Sequence, residues 1–350
     1  MQQIKSLPNF ASDNWAPAHP EVMDAIVRAN SGPVQSYGGD PYTLEAEALI
    51  REHFGSEARP FFVFTGTAAN VLSLESCVRS YEAIISSDTA HIYTSEWGAV
   101  ERITGSKVLS IHAPDGKLTP DGVAAAIPDQ SGHPRARAGV VSLTQATEYG
   151  TVYTPDEVRA ITRVARDHGL RVHMDGARIA NAAASLGLSL REVSVDCGVD
   201  VLSFGGTKNG ASCAEAVVFM NEELASDFAL RRKQAMQLAS KLRFVSVQFT
   251  ALLRNELWLR NARHANAMAK RLAAGLAALP GMTVTQKVEA NEVFVAVPER
   301  AIKPLHEAAS LSLWDEATHE LRLVCSFQTT EEEVDGFVGH ARTVSAAKDS

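Results

Sequence analysis

The sequence predicts an α/β fold: a mostly parallel sheet in a large domain, followed by a smaller C-terminal α+β domain. Three observations predict it. Apolar runs of strand length alternate with longer helical patterns from about residue 61 to 220, the order of repeated strand–helix units. The strand candidates are apolar runs, as in a parallel sheet covered on both faces. The chain has 350 residues and is 45% hydrophobic, enough for a large core and a second, smaller unit.

The elements follow in order. Phe61–Phe64 reads as a strand and leads through Thr65-Gly66-Thr67 into a helix over Ala68–Val78. Lys107–His112 reads as a strand, and Pro120–Ile127 as a helix with proline at its start. Gly139–Thr144 is a strand. Thr154 caps the next helix, with Pro155 at the first position and Glu157 where a capping box needs it, and Gly169 stops that helix after His168. Leu170–Asp175 is a strand, followed by a helix from about Ala177; Val199–Phe204 and Ala216–Met220 are further strands. After Met220 the pattern changes to two long helices, about 224–240 and 262–279. Strands at Met282–Gln286 and Asn291–Val297, a helix near 303–310, the strand Leu321–Phe327 and a helix from Thr330 complete the chain. The expected division is an N-terminal arm (1–30), a large domain (31–250) and a small one (251–350).

Charge and cysteines narrow the function classes. Lys and Arg number 33 against 41 Asp and Glu, a net charge of −8, which argues against a nucleic-acid partner bound through phosphate neutralisation. The short basic stretch at Arg231, Arg232 and Lys233 reads as a solvated helix face. The four cysteines form no C-x-x-C and read as free thiols of a reducing compartment. No signal peptide or membrane-length apolar run is present, so a cytoplasmic protein without membrane contact is expected.

Three groups at the carboxyl ends of strands, where open α/β sheets bind ligands, carry chemistry. Thr65-Gly66-Thr67-Ala68-Ala69-Asn70 combines small residues, hydroxyls and a helix start, the makings of a phosphate site; an ordinary capped turn has the same residues. It is not a Walker A loop, because no G-K-[ST] follows. Asp175 ends a buried apolar strand, which is costly unless the carboxylate is paired. A protonated pyridine nitrogen is one suitable partner and Arg178, three residues on, is another; Arg178 could instead reach a cofactor oxygen or a substrate carboxylate. A metal site built on His173 and Asp175 finds no third ligand at a recognisable spacing. Lys208, in Ser203-Phe204-Gly205-Gly206-Thr207-Lys208-Asn209-Gly210, follows a buried strand. Partial desolvation would make its amine a usable nucleophile, and the flanking glycines leave room for a planar ring. The chain between Asp175 and Lys208 fits one strand-to-strand crossover, which would put both on one edge of the sheet.

Nearly the whole chain resembles the fold-type I (aspartate aminotransferase-like) pyridoxal phosphate enzymes of the threonine aldolase family. The resemblance is closest to low-specificity L-threonine aldolases and the similar L-phenylserine aldolases. It rests on Ser12-Asp13-Asn14, Tyr37-Gly38-Gly39-Asp40, TGTAAN at 65–70, Ala90-His91-Ile92, SLTQATEYGTVYT at 142–154, HMDGAR at 173–178, LSFGGTKNG at 202–210 and LRLVCSF at 321–327. It implies that Lys208 holds pyridoxal 5'-phosphate as a Schiff base, that Thr65, Gly66 and Thr67 bind its phosphate, and that Asp175 pairs with its ring nitrogen. It also implies that His91 lies over the ring and that Arg322, helped by Ser12 and Arg178, binds the substrate carboxylate. Many threonine aldolases carry a histidine in the loop equivalent to Ala146–Gly150. Here the loop has Glu148 instead, the phenylserine-type form, so Glu148 either acts on the substrate hydroxyl or orients a water or His91.

The implied reaction is reversible cleavage of an L-β-hydroxy-α-amino acid to glycine and an aldehyde. Another fold-type I reaction (β-elimination or amino transfer) and a non-enzymatic pyridoxal-phosphate-binding regulator are the alternatives. The resemblance further implies a homodimer or homotetramer with active sites at subunit interfaces. Tyr37, and one of Arg231–Lys233, Lys241 or Arg243, would then approach a neighbour's cofactor and substrate.

Overall fold

Seven strands form the main sheet in the order β1-β7-β6-β5-β4-β2-β3. The computed structural model describes residues 7–127 and 136–346. The strands are β1 (Arg59–Val63), β2 (Glu82–Ser87), β3 (Lys107–Ile111), β4 (Arg137–Thr144), β5 (Arg171–Gly176), β6 (Val201–Gly205) and β7 (Glu215–Phe219). β3, β2, β4, β5 and β6 pair in parallel, whereas β7 runs antiparallel to both its neighbours. β1 therefore points the same way as the parallel set, and only β7 is reversed. Every residue of β6 and β7 is buried, which explains why they are apolar apart from Ser203 and Glu215.

Local signals act where the sequence places them. Thr154 and Glu157 close a reciprocal capping box on the helix Pro155–Asp167, and Gly169, at φ +70°, follows its end. The second sheet is antiparallel, in the order β10-β11-β9-β8, with β8 (Thr283–Val284), β9 (Glu292–Ala296), β10 (Ser312–Asp315) and β11 (Glu320–Val324). Phe10, fully buried, packs into the core beneath this sheet, and its backbone bonds to Ser310 and Val324. The N-terminal segment is thereby stitched to the small sheet.

Several expectations need correction. The helix predicted over 224–240 is two short ones, Glu222–Ala225 and Phe228–Gln234, after which Met236 adopts φ +63° and turns the chain. A helix at Arg243–Leu253 follows that the sequence reading did not separate, and the next starts earlier than predicted, at Leu257. The strand β2 was also not anticipated: its apolar part, Ala83–Ile85, is too short to stand out from its serines. Nor is the basic stretch a solvated face throughout. Arg232 is buried, donates to the Phe62 carbonyl at 3.1 Å and lies over the Phe61 ring. No helix among the described residues is long and apolar enough to cross a membrane.

Candidate active site

β1, β5 and β6 all end at one edge of the sheet, and the predicted groups meet there. Asp175 on β5 lies opposite Ser203 on β6. β6 runs out at Gly205 into the tight turn Thr207–Asn209 that carries Lys208, and β1 leads into Thr65-Gly66-Thr67. These residues, with Arg178, His91 and Glu148, line one cavity of about 390 Å³.

Each wall has a local cause. Thr65 is in extended backbone and its hydroxyl accepts the Ala68 N–H at 3.1 Å, so the helix Gly66–Cys77 starts at the cavity with its positive end. A Cβ placed on Gly66 would meet nothing within 4 Å, which leaves open space before those N–H groups. The glycines before Lys208 serve a different purpose from the one expected. A Cβ on Gly205 would lie 2.6 Å from the Ala177 carbonyl oxygen, and one on Gly206 would lie 2.5 Å from that of Ala214. They admit neighbouring backbone rather than a ligand ring. Gly205→Ala is therefore expected to destabilise the fold by about 3 kcal/mol, read as a lowered urea midpoint with an unchanged slope.

Asp175 is almost fully buried. Its two oxygens accept the Ala177 N–H at 2.9 Å and the Asn70 side-chain amide at 2.8 Å. The same amide nitrogen donates to Glu96 Oε1 at 2.9 Å, and that oxygen lies 3.0 Å from His91 Nδ1. One asparagine thus links the carboxylate under the cavity to the histidine on its wall. The hydrogen bond that the Glu96 carboxylate accepts raises the pKa of His91 against the opposing effect of burial, and burial raises that of Glu96. Glu148 accepts the His91 backbone N–H at 2.7 Å and the Thr144 hydroxyl at 3.1 Å through Oε1. Burial, reinforced by the charge of Asp175, pushes the Glu148 carboxyl up to about 7.

His173 does not line this cavity. Its ring nitrogens lie 2.9 and 3.0 Å from the hydroxyls of Ser142 and Ser203 on the flanking strands, and burial lowers its pKa to about 4. Ser12, Arg322 and Tyr37 also stand outside the lining. Ser12 caps the turn Asp13–Trp15, which packs against the turn of Lys208. Tyr37, half exposed at φ +59°, lies under the Lys233 ammonium, 4.7 Å from its ring centre. Arg178 pairs with Asp13, not with Asp175: its Nε and Nη2 donate to the two Asp13 oxygens at 2.8 and 2.9 Å. Burial alone would raise the Asp13 pKa, but Arg178, Lys208 and Arg322 outweigh it and hold the carboxyl below its ordinary range.

The chain matches the family model described as Beta-eliminating lyase over residues 9–300. It is 43% identical over 341 residues to the low specificity L-threonine aldolase of Pseudomonas sp. strain NCIMB 10558, a match spanning 97% of this chain and 98% of that one. The chain belongs to the low-specificity L-threonine aldolase family. The enzyme of that name from Pseudomonas aeruginosa is 44% identical over the same shares of each chain. The solved threonine aldolase of Leishmania major superposes with a TM-score of 0.91 at 30% identity, covering 97% of this chain and all of that one. An aspartate aminotransferase from Thermus thermophilus, at 16% identity and a TM-score of 0.70, shares the fold.

For this threonine aldolase family member, sequence reasoning assigned no role to Glu96, Asp13 or Glu292. Glu292 opens an apolar strand as Asp175 closes one, and the same argument about unpaired buried carboxylates applies to it. Glu96 left no comparable signal, because only the bend after the short helix His91–Thr94 brings it back to His91.

Proposed function

We propose that this chain cleaves L-β-hydroxy-α-amino acids of the L-threonine, L-allo-threonine or L-phenylserine type, reversibly, to glycine and an aldehyde, with pyridoxal 5'-phosphate as cofactor. The observation that carries this reading is the convergence of an anion cradle, a buried carboxylate and a primary amine on one cavity, with His91 and Glu148 beside them. The residues fit the cofactor. Helix N–H groups and hydroxyls at Thr65, Gly66 and Thr67 suit a phosphate, Asp175 suits a protonated pyridine nitrogen, and the Lys208 amine suits an aldehyde carbon. When bound, the cofactor supplies an electron sink for the bond broken at the substrate's α-carbon.

The chain's own groups would do the rest. Asn70 holds Asp175 in place by one N–H and Glu96 by the other. Arg178 on the cavity wall, with Ser12 and Arg322 connected to it through Asp13 and Glu292, would bind the substrate carboxylate and so orient the bond to be broken. Glu148 takes the proton of the β-hydroxyl: at a pKa of about 7 it is partly ionised at neutral pH and basic enough to accept one. His91, which is held by a hydrogen bond to Glu96 that raises its pKa, would serve as a second proton carrier beside the cavity.

The wide exposure of large side chains beside the cavity supports a homo-oligomer with shared sites. Trp97, fully exposed, follows the cavity residue Glu96, and Trp15, 64% exposed, follows Asn14. The test of function is a panel of threonine, allo-threonine and phenylserine in both enantiomers, with products identified. Glycine plus aldehyde from the L-isomers is expected. Ammonia and a keto acid would instead favour β-elimination, the reaction in the family model's description.

A further inference from the structure

The proposed carboxylate clamp already contains a carboxylate. We infer that Glu292 is a built-in competitor there, which keeps the clamp electrically neutral and so makes it select amino acids over acids that lack an amino group. This inference rests on the functional reading above and concerns the same site.

Glu292 is fully buried at the start of β9. Its Oε1 accepts Arg322 Nε at 3.1 Å and Arg322 Nη2 as well, and Arg178 Nη2 lies 3.7 Å away. The remaining donors of Arg178 that are engaged go to Asp13, which also accepts the side-chain amide of Asn291. Two guanidinium groups thus face two carboxylates, and their charges sum to zero. The sheet fixes this pairing. Arg322 pairs with Phe294 and Val324 with Glu292, so the two side chains share one face of adjacent strands on a diagonal. Behind Glu292 lies the loop of Glu148: a Cβ on Gly150 would come within 2.9 Å of the Glu292 Cβ, so a side chain there would displace it. The second oxygen, Glu292 Oε2, is buried with no hydrogen-bond partner among the described residues.

A pocket built simply to capture anions would carry surplus positive charge. Here an incoming carboxylate must share Arg322 with Glu292 and brings a net negative charge into a place already balanced, where like charges are poorly screened. A ligand with a second anchor, an amino group held elsewhere in the cavity, can offset that repulsion. Acetate or lactate has no such anchor and is turned away.

The experiment compares the wild-type holoenzyme with Glu292→Gln. Dissociation constants for acetate, L-lactate and ethanolamine are measured by competition against the amino-acid substrate and by calorimetry. In the variant, acetate and lactate are expected to bind about tenfold tighter or more, because the clamp now carries a net positive charge, while ethanolamine is unchanged. The gain should vanish when Arg322→Gln is added. Unchanged or weaker acetate binding in a Glu292→Gln protein that still takes up cofactor overturns the inference and makes Glu292 a mere support for Arg322. Arg322→Gln alone separates the two levels: if it leaves amino-acid binding intact, the clamp assignment itself fails. Should Glu292→Gln not fold, Glu292→Asp keeps the charge sum but draws the competing carboxylate back from Arg322, so only the smaller gain that comes from freeing the Arg322 donors is expected.

Discussion

Lys208→Ala is expected to lower turnover of L-β-hydroxy-α-amino acids by on the order of a thousandfold or more, with little change in stability. The turn that carries Lys208 is held by groups other than its side chain. The Asn209 and Gly210 N–H groups bond back to Gly206 and Thr207, the Asn209 amide donates to the Trp258 carbonyl at 3.1 Å, and Asn261 donates to the Asn209 carbonyl at 2.8 Å. Removing the amine leaves all of these in place, so lost activity would report lost chemistry. Borohydride treatment of the loaded wild-type protein should fix the cofactor on the peptide that contains Lys208, and the same treatment of the variant should fix none. Full turnover by Lys208→Ala would end the assignment of this cavity as the reaction site.

Glu148→Gln is expected to reduce kcat by about a hundredfold or more and to remove a limb from the pH profile. Burial pushes the Glu148 carboxyl up to about 7, so as the base it becomes competent as pH rises through that value. Wild-type kcat/KM should therefore climb through neutral pH and level off on the alkaline side, and the glutamine variant should lack that rise. A limb that persists at the same position in the variant would transfer the role to another group, His91 being the nearest.

Stability should move in the opposite sense. The folded chain holds the Glu148 proton between its ordinary value of 4.5 and about 7, where the unfolded chain has lost it. Folding stability from this group is thus present below the lower value and declines as pH rises through the upper one. At pH 8 the glutamine variant, with no charge to bury, should unfold at a higher temperature than wild type. A lost base that also stabilises the protein is hard to mistake for a damaged fold.

Both variants act on groups that the sequence singled out, Glu148 through the family resemblance and Lys208 through a local signal. Thr154, Pro155 and Glu157 specify a helix start within four consecutive residues, and Gly169 ends that helix through a backbone angle few other residues tolerate. Asp175 and Lys208 were conspicuous because polar groups ending buried strands are costly without a purpose. Elements decided by distant contacts were less legible. The stretch 224–240 has residues that suit a helix, yet Met236 turns the chain and the Gln237 side chain accepts the Phe64 N–H at 3.1 Å, beside the proposed anion cradle. That contact joins positions far apart in sequence, and no local propensity encodes it.

By itself, then, the sequence determined the alternation of strands and helices, the sheet edge on which Thr65, Asp175 and Lys208 fall, and the chemistry those residues can perform. These follow from periodicity, caps and the cost of burying charge, all of which act over short stretches of chain. Only the tertiary structure decided the partners: Asn70 between Asp175 and Glu96, Glu96 behind His91, Asp13 rather than Asp175 on Arg178, and Glu292 on Arg322. A buried charge states that it needs a counter-charge but not which one. That choice is made when strands and turns distant in the chain are packed within about 3 Å of each other.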